Sequence, residues 1–255
     1  MSERPLILVT NDDGVHAQGI AALRNAMAPL GDVWTVAPDR ERSGVGHAIT
    51  LHDPIRVRAL EPQVFTCDGT PTDCVFLGIH KLLPRAPSLV VSGINHGPNL
   101  ADDVTYSGTV AGAMEGAIMG VPSVAFSLLG RESSDFAPAA ELAASVARWV
   151  LLHGLPARTL LNVNVPDTQG KKVPGFRWTR AGLRDYGHAV VVQKDPRGRS
   201  MYWIGSEIGF HTLEGSDCNA VHEGLAAVTP IYLDMTHHEL LGTLALQELP
   251  GFERR

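Results

Sequence analysis

The stretch Pro5-Leu6-Ile7-Leu8-Val9-Thr10-Asn11-Asp12-Asp13-Gly14 decides the fold class. Its short, unbroken apolar run suits a strand buried on both faces, as the strands of parallel sheets are. The run stops at Asn11-Asp12-Asp13-Gly14, residue types that favour turns for backbone reasons. Neighbouring side chains in a strand point to opposite faces, so Asp12 and Asp13 can turn toward one point only where the strand has ended. The stretch therefore reads as a buried strand that delivers two adjacent carboxylates to a loop.

Working outward, strand and helix patterns alternate. Residues 17–30 have helical periodicity through Ile20, Leu23, Ala26, Met27 and Leu30, and residues 33–37 form a second strand before Pro38. Residues 55–60 and 64–67 are short alternating runs, a β excursion. A helix over 70–83 begins with Thr70 as N-cap, Pro71 in first position and Asp73 in the first turn. Strands at 89–92, 123–128 and 160–165 alternate with helices at 107–119 and 136–152. The sequence thus predicts an α/β, Rossmann-like, three-layer core with a parallel sheet covered on both faces. From Gly175 short strands and turns take over, at 176–179, 190–193, 201–204 and 226–231. Asp195-Pro196-Arg197-Gly198 is a turn, and a helix over 237–247 follows. The expected division is a catalytic core over 1–180 and a β-rich oligomerisation extension with a C-terminal helix over 181–255.

Bulk properties narrow the function classes. The 255 residues are 44% hydrophobic and 19% charged, an ordinary globular composition. The net charge of -6, from 21 Lys+Arg against 27 Asp+Glu, lacks the basic face that a long nucleic acid needs. A single nucleotide needs only a local anion site. Cys67, Cys74 and Cys218 are odd in number and contain no Cys-x-x-Cys pair, so they read as three reduced thiols. The amino terminus is no signal peptide, and the apolar region 107–129 is interrupted by Glu115, Pro122 and recurrent glycines. The expectation is a cytoplasmic protein without a membrane span.

Three polar loops follow three strands: Asn11–Gly14, Pro38-Asp39-Arg40-Glu41-Arg42-Ser43-Gly44, and Ser92-Gly93-Ile94-Asn95-His96-Gly97-Pro98-Asn99. In an open parallel sheet the carboxyl ends of the strands share one edge, where ligands bind. Asn11–Gly14 alone suits a plain turn; three such loops at one edge suit a site. A divalent cation relieves the repulsion between Asp12 and Asp13, and Ser43 Oγ and Asn95 Oδ1 can complete its shell. With no His-rich or thiolate cluster, Mg²⁺ or Mn²⁺ is expected rather than zinc. Ser107, Gly108 and Thr109 open the helix over 107–119, and a helix N-terminus with little side-chain bulk binds phosphate. Simple capping by Ser107 is the plainer alternative. Gly108, Gly112, Gly116 and Gly120 make a stripe read as close helix packing, and no Walker-type lysine follows it. His47 and His96 lie in the site loops but read more simply as structural or surface residues. His237 and His238 are expected to be solvated.

These residues resemble a known family. Val9-Thr10-Asn11-Asp12-Asp13-Gly14-Val15-His16, Ala37-Pro38-Asp39-Arg40 with Arg42-Ser43-Gly44, Gly69-Thr70-Pro71-Thr72-Asp73-Cys74-Val75, Val91-Ser92-Gly93-Ile94-Asn95 with Gly97-Pro98-Asn99, and Tyr106-Ser107-Gly108-Thr109-Val110-Ala111 are all similar to segments of the SurE family of 5′/3′-nucleotidases. The likeness continues through Asp195–Gly198, Tyr202-Trp203-Ile204-Gly205 and Val228-Thr229-Pro230-Ile231, so it spans nearly the whole chain. It implies a divalent-metal-dependent hydrolase of nucleoside 5′-, and also 3′-, monophosphates, with one cation per subunit. By resemblance the metal ligands are Asp12, Asp13, Ser43 and Asn95, and the phosphate contacts are Asn99, Ser107, Gly108 and Thr109. Catalysis falls to Asp12, Asp13 and Asn95. The resemblance also implies homodimers or homotetramers that exchange part of the C-terminal region. The rival readings are a non-catalytic nucleotide-sensing module, a broader phosphomonoesterase or exopolyphosphatase, and an aspartyl-phosphate phosphatase. The last uses Asp-x-Asp, which the adjacent Asp12-Asp13 pair does not match.

Overall fold

The structure, a computed structural model, describes residues 4–130, 135–187, 190–204, 209–247 and 250–251. In chain order the elements are β1 (Leu6–Thr10), α1 (Gln18–Met27), β2 (Asp32–Pro38), β3 (Val57–Glu61), β4 (Val64–Cys67), α2 (Pro71–Leu77), β5 (Leu89–His96), α3 (Gly108–Ile118), β6 (Ser123–Leu129), α4 (Ala137–His153) and β7 (Thr159–Pro166). Then come β8 (Phe176–Trp178), β9 (Arg184–Asp185), β10 (Val190–Lys194), β11 (Ser200–Ile204), β12 (Gly209–Phe210), α5 (Asp217–His222), β13 (Ala226–Tyr232) and α6 (His238–Leu244).

A nine-stranded sheet has the order β3-β4-β2-β1-β5-β6-β7-β13-β8. The six strands from β4 to β7 are parallel. β1 sits between β2 and β5, where the strand order reverses, and such a switch point opens a crevice beyond the carboxyl ends of the strands. Every residue of β1 is buried, as its uniform apolarity predicts. Ile7 and Val9 pack toward α1 and α4. Leu6 and Leu8 share a second cluster with Cys74 and Val75 of α2. The three-layer expectation therefore holds, with α1 and α4 on one face and α2 and α3 on the other.

Three features differ from the sequence expectation. The sheet is mixed rather than wholly parallel, because β3 runs antiparallel to β4 and β13 antiparallel to β7. β13 belongs to the extension by sequence but to the main sheet by pairing, since its backbone completes the ladder beside β7. The helix from residue 70 keeps α-geometry only to Leu77 and continues as a π-helical turn over Gly78–Leu82. Its start agrees in detail: the Thr70 side chain accepts from Asp73 N and the Asp73 carboxylate accepts from Thr70 N, a reciprocal capping box. The β10–β11 hairpin closes on the expected turn, with Asp195 Oδ1 accepting from the backbone N–H groups of Arg197 and Arg199. Gly205 of the Tyr202–Gly205 motif lies outside the described residues.

The extension is bolted to the core beside the crevice. Asp217 is fully buried and accepts from the backbone N–H groups of Ala101, Gly182 and Cys218. Arg184 pairs with Asp103 at 2.5 Å, and Tyr186 donates to the same carboxylate at 3.1 Å. Both bonds hold a 3-10 turn, Ala101–Thr105, that leads into α3.

Candidate metal and phosphate site

β1 ends at Thr10, and the chain turns at once. Asn11 Nδ2 donates to Gly14 O at 2.9 Å, and Gly14 has φ +98°, a conformation suited to glycine. Beyond the strand end this tight turn leaves Asp12 buried and Asp13 partly exposed. The two neighbouring loops and α3 then bond to the same segment. Arg42 N donates to Asp12 O at 2.7 Å. The Asp13 carboxylate accepts from the backbone of His96, the residue after Asn95. Thr109 Oγ1, in the first turn of α3, donates to Asp12 Oδ1.

Gly108 makes that last contact possible. A Cβ on it would lie 2.7 Å from Asp12 Cβ and 2.8 Å from Asp12 Oδ2, so only glycine lets α3 rest on the carboxylate. The stripe continues below as close packing: added carbons at Gly112 and Gly116 would meet Ser92 and Val90 of β5 and Ser123 at under 3 Å. Gly120 leaves the stripe, ending the helix with φ +80°.

Asp12 is 4% exposed. Burial pushes its carboxyl up to about 6, against the lowering effect of the Thr109 bond and with a further push from Asp13. Burial raises Asp13 as well, opposed by the His96 backbone bond. Two desolvated carboxylates side by side fit a hard divalent cation, which supplies the charge they lack. Asn95 Nδ2 donates to Gly97 O at 2.9 Å, which fixes the orientation of its amide. Among the described residues no three His, Cys, Asp or Glu side chains cluster as a metal-holding group. The groups at the aspartate pair are two carboxylates and the nearby Asn95 amide, oxygen donors of the kind hard cations take.

The remaining expected residues are placed less uniformly. Ser43 is exposed, and its Oγ donates to Glu41 Oε1 at 2.8 Å. Ser107 caps α3 by accepting from Val110 N at 3.1 Å. Asn99 is buried and held on all sides. Its N–H donates to Asn164 Oδ1, its Nδ2 donates to Ser127 Oγ, and its carbonyl accepts from Asn162 and Asn164. His47 Nε2 lies 2.9 Å from Glu115 Oε2, a buried carboxylate of α3, rather than beside the aspartate pair. The His96 ring packs near Phe136 with a centroid separation of 6.3 Å.

Sequence reasoning missed Asn162 and Asn164. Their signal is two asparagines at i and i+2 among Leu161, Val163 and Val165, which puts both amides on one face of a buried strand. It also missed Asp217 and Arg184, whose bonds to Ala101 and Asp103 span more than eighty residues.

The chain thus falls in the class of mostly parallel α/β sheets with an acidic pair at the switch point and a glycine-opened helix beside it. The chain belongs to the SurE family: the family model described as Survival protein SurE matches residues 7–188. It is 56% identical to the 5′-nucleotidase SurE of Syntrophotalea carbinolica over 91% of this chain and 93% of that one. It is 50% identical to the Myxococcus xanthus 5′-nucleotidase SurE over 100% of this chain and 98% of the relative. The crystal structure of the SurE protein from Aquifex aeolicus superposes with a TM-score of 0.85 at 44% identity, covering 94% of this chain and 98% of that one.

Proposed function

We infer that this chain is a 5′-nucleotidase, hydrolysing a nucleoside 5′-monophosphate to nucleoside and phosphate. The observation that carries the reading is the seating of the α3 N-terminus on the Asp12 carboxylate through Gly108 and Thr109. A helix N-terminus attracts an anion, and a buried acidic pair attracts a cation. Phosphate and metal would thus be neighbours. Relatives named 5′-nucleotidase at 50–56% identity over nearly the whole chain support the same conclusion.

We assign Asp12, Asp13, Ser43 and Asn95 to one divalent cation, Mg²⁺ or Mn²⁺. When bound, that ion supplies Lewis-acid polarisation of a phosphate oxygen and lowers the pKa of water. The backbone N–H groups of Gly108 and Thr109, with Ser107, receive the phosphate and stabilise charge developing on it. One carboxylate of the Asp12-Asp13 pair accepts the proton of the attacking water. The Thr109 hydroxyl orients Asp12, and Asn99 shapes the loop that faces α3.

The finer assignments are proposals too: action on 3′-monophosphates, a cytoplasmic setting, and a dimer or tetramer that exchanges the extension. Among the described residues no helix is long and apolar enough to cross a membrane. A partner subunit is supported by the β10–β11 hairpin, where Val190, Val192, Tyr202, Trp203 and Ile204 are all more than half exposed. An isolated hairpin with such surfaces on both faces is marginal in water.

Phosphate release from AMP, GMP and an aryl phosphate, with each metal and after chelation, tests the reading. Turnover should require the cation and favour nucleotides. Asp12→Asn should lower it by roughly 100-fold or more. Full activity after exhaustive chelation overturns the metal assignment, and nucleotide binding without phosphate release overturns the enzyme.

A further inference from the structure

Cys67 ends β4 and Cys74 lies near the start of α2, with Gly69, Thr70 and Pro71 turning the chain between them. Their Sγ atoms are 3.0 Å apart, and both thiols are buried and unbridged. Both residues are buried, Cys67 at 1% and Cys74 at 0% exposure, but they differ in position relative to a cleft. Cys67 forms part of the wall of a cleft of about 510 Å³, together with Asp39, Arg56, Arg58 and Asp68. Cys74 is fully buried and does not line that cleft. They also differ in acidity: the hydrogen bond with Cys74 lowers the Cys67 thiol, whereas burial drives the Cys74 thiol well up. Cys218 has no thiol neighbour within hydrogen-bonding reach among the described residues, and burial pushes it up to about 12.

We propose that Cys67 and Cys74 form a peroxide-oxidisable dithiol, in which Cys67 is the sulfur attacked through the cleft and Cys74 the sulfur that resolves it. A disulfide requires about 2.05 Å between sulfurs, so an approach of roughly 1 Å completes the bond. The oxidant is hydrogen peroxide. Cys67 thiolate attacks one peroxide oxygen; the S–O bond forms, the O–O bond breaks, and the departing hydroxide takes a proton to become water. The Cys74 sulfur then attacks the Cys67 sulfenic acid. The S–S bond forms, the S–O bond breaks, and the second water leaves with the Cys74 proton. Two thiols are oxidised and one peroxide is reduced to two waters.

The new bond would tie β4 to α2 next to the loop that carries Arg42 and Ser43. Asp39 N donates to Cys67 O at 2.8 Å, and Arg42 donates to Asp68 O. Cys67 and Asp68 are thus each one hydrogen bond from the loop that leads to Ser43.

The test exposes the folded full-length chain to hydrogen peroxide, then denatures it, blocks the remaining thiols and maps tryptic peptides. Trypsin leaves both cysteines on one peptide, residues 59–81. The expected result is joint loss of two of the three thiols, with that peptide two hydrogens lighter and unblocked, while Cys218 is blocked in full. A dithiol reductant should restore all three. In Cys74→Ser, a sulfenic-acid trap should label Cys67. Oxidation of Cys218 ahead of Cys67, or a 59–81 peptide that stays fully blocked under peroxide that oxidises the denatured chain, overturns the proposal. The wild-type mapping decides it even if the variant does not fold.

Discussion

The Asp12 carboxylate is governed by two residues nearly a hundred positions downstream. Thr109 donates its hydroxyl to Asp12 Oδ1 across 97 positions, so it orients the carboxylate proposed as a metal ligand. Second-sphere partners of this kind are worth about 10–100-fold in metal affinity or activity. Thr109→Val, which keeps the shape and removes the donor, should weaken metal-dependent phosphate release by that order while leaving the fold intact by circular dichroism. Gly108→Ala is the steric counterpart. Its added carbon would sit 2.7 Å from Asp12 Cβ, so α3 or the Asp12 turn must shift. The expected cost is about 1–3 kcal/mol of stability, with loss of turnover exceeding that of Thr109→Val. Phosphate release and thermal melting of the two variants side by side check this order.

Among the elements, α2 shows how a local code sets a boundary. Thr70 and Asp73 close a capping box, and Asp73 also accepts from Thr50 N and Thr50 Oγ1, pinning the loop after Ser43. Thr70→Ala removes one half of the box and should cost about 1 kcal/mol, lowering the melting temperature by roughly 2–4 °C. Its phosphate release should stay near wild type. The Thr70 cap was legible because Thr-Pro-Thr-Asp is a local helix-start pattern, whereas the return bond from Asp73 to Thr70 N came from the structure. The role of β7 was not. Asn162 and Asn164 look like flaws in an apolar strand until the Asn99 loop is folded over them, whereupon their amides satisfy its carbonyl.

For the whole molecule, the extension has two different roles. β13 completes the core sheet beside β7, and Asp217 and Arg184 clamp the turn that leads into α3. The β10–β11 hairpin instead projects apolar side chains on both faces, with Val191 opposite Trp203. If this surface is buried against a second copy, the wild-type chain should sediment as a dimer or larger. A Val191→Asp, Trp203→Asp double variant should then shift toward a single chain, because buried unpaired charges are costly. Analytical ultracentrifugation over a range of concentrations reads this directly, and a monomeric wild type would remove the oligomer from the proposal.

By itself, the sequence determined the parts that depend on neighbours along the chain. These are the buried first strand, the turn that frees two carboxylates, the helix caps, the Asp195–Gly198 turn and the sheet-edge convergence that strand–helix alternation entails. Periodicity and turn chemistry act within a few residues and can be read in a window of that size. Only the tertiary structure decided that Thr109 serves Asp12, that Asn99 is built into β7, that His47 pairs with Glu115 and that Cys67 faces Cys74. The first three are contacts across 65 to 97 positions of chain. The fourth is close in sequence, but it depends on how α2 folds back against the end of β4. Such pairings arise from packing of whole elements, and no local pattern of residues specifies them.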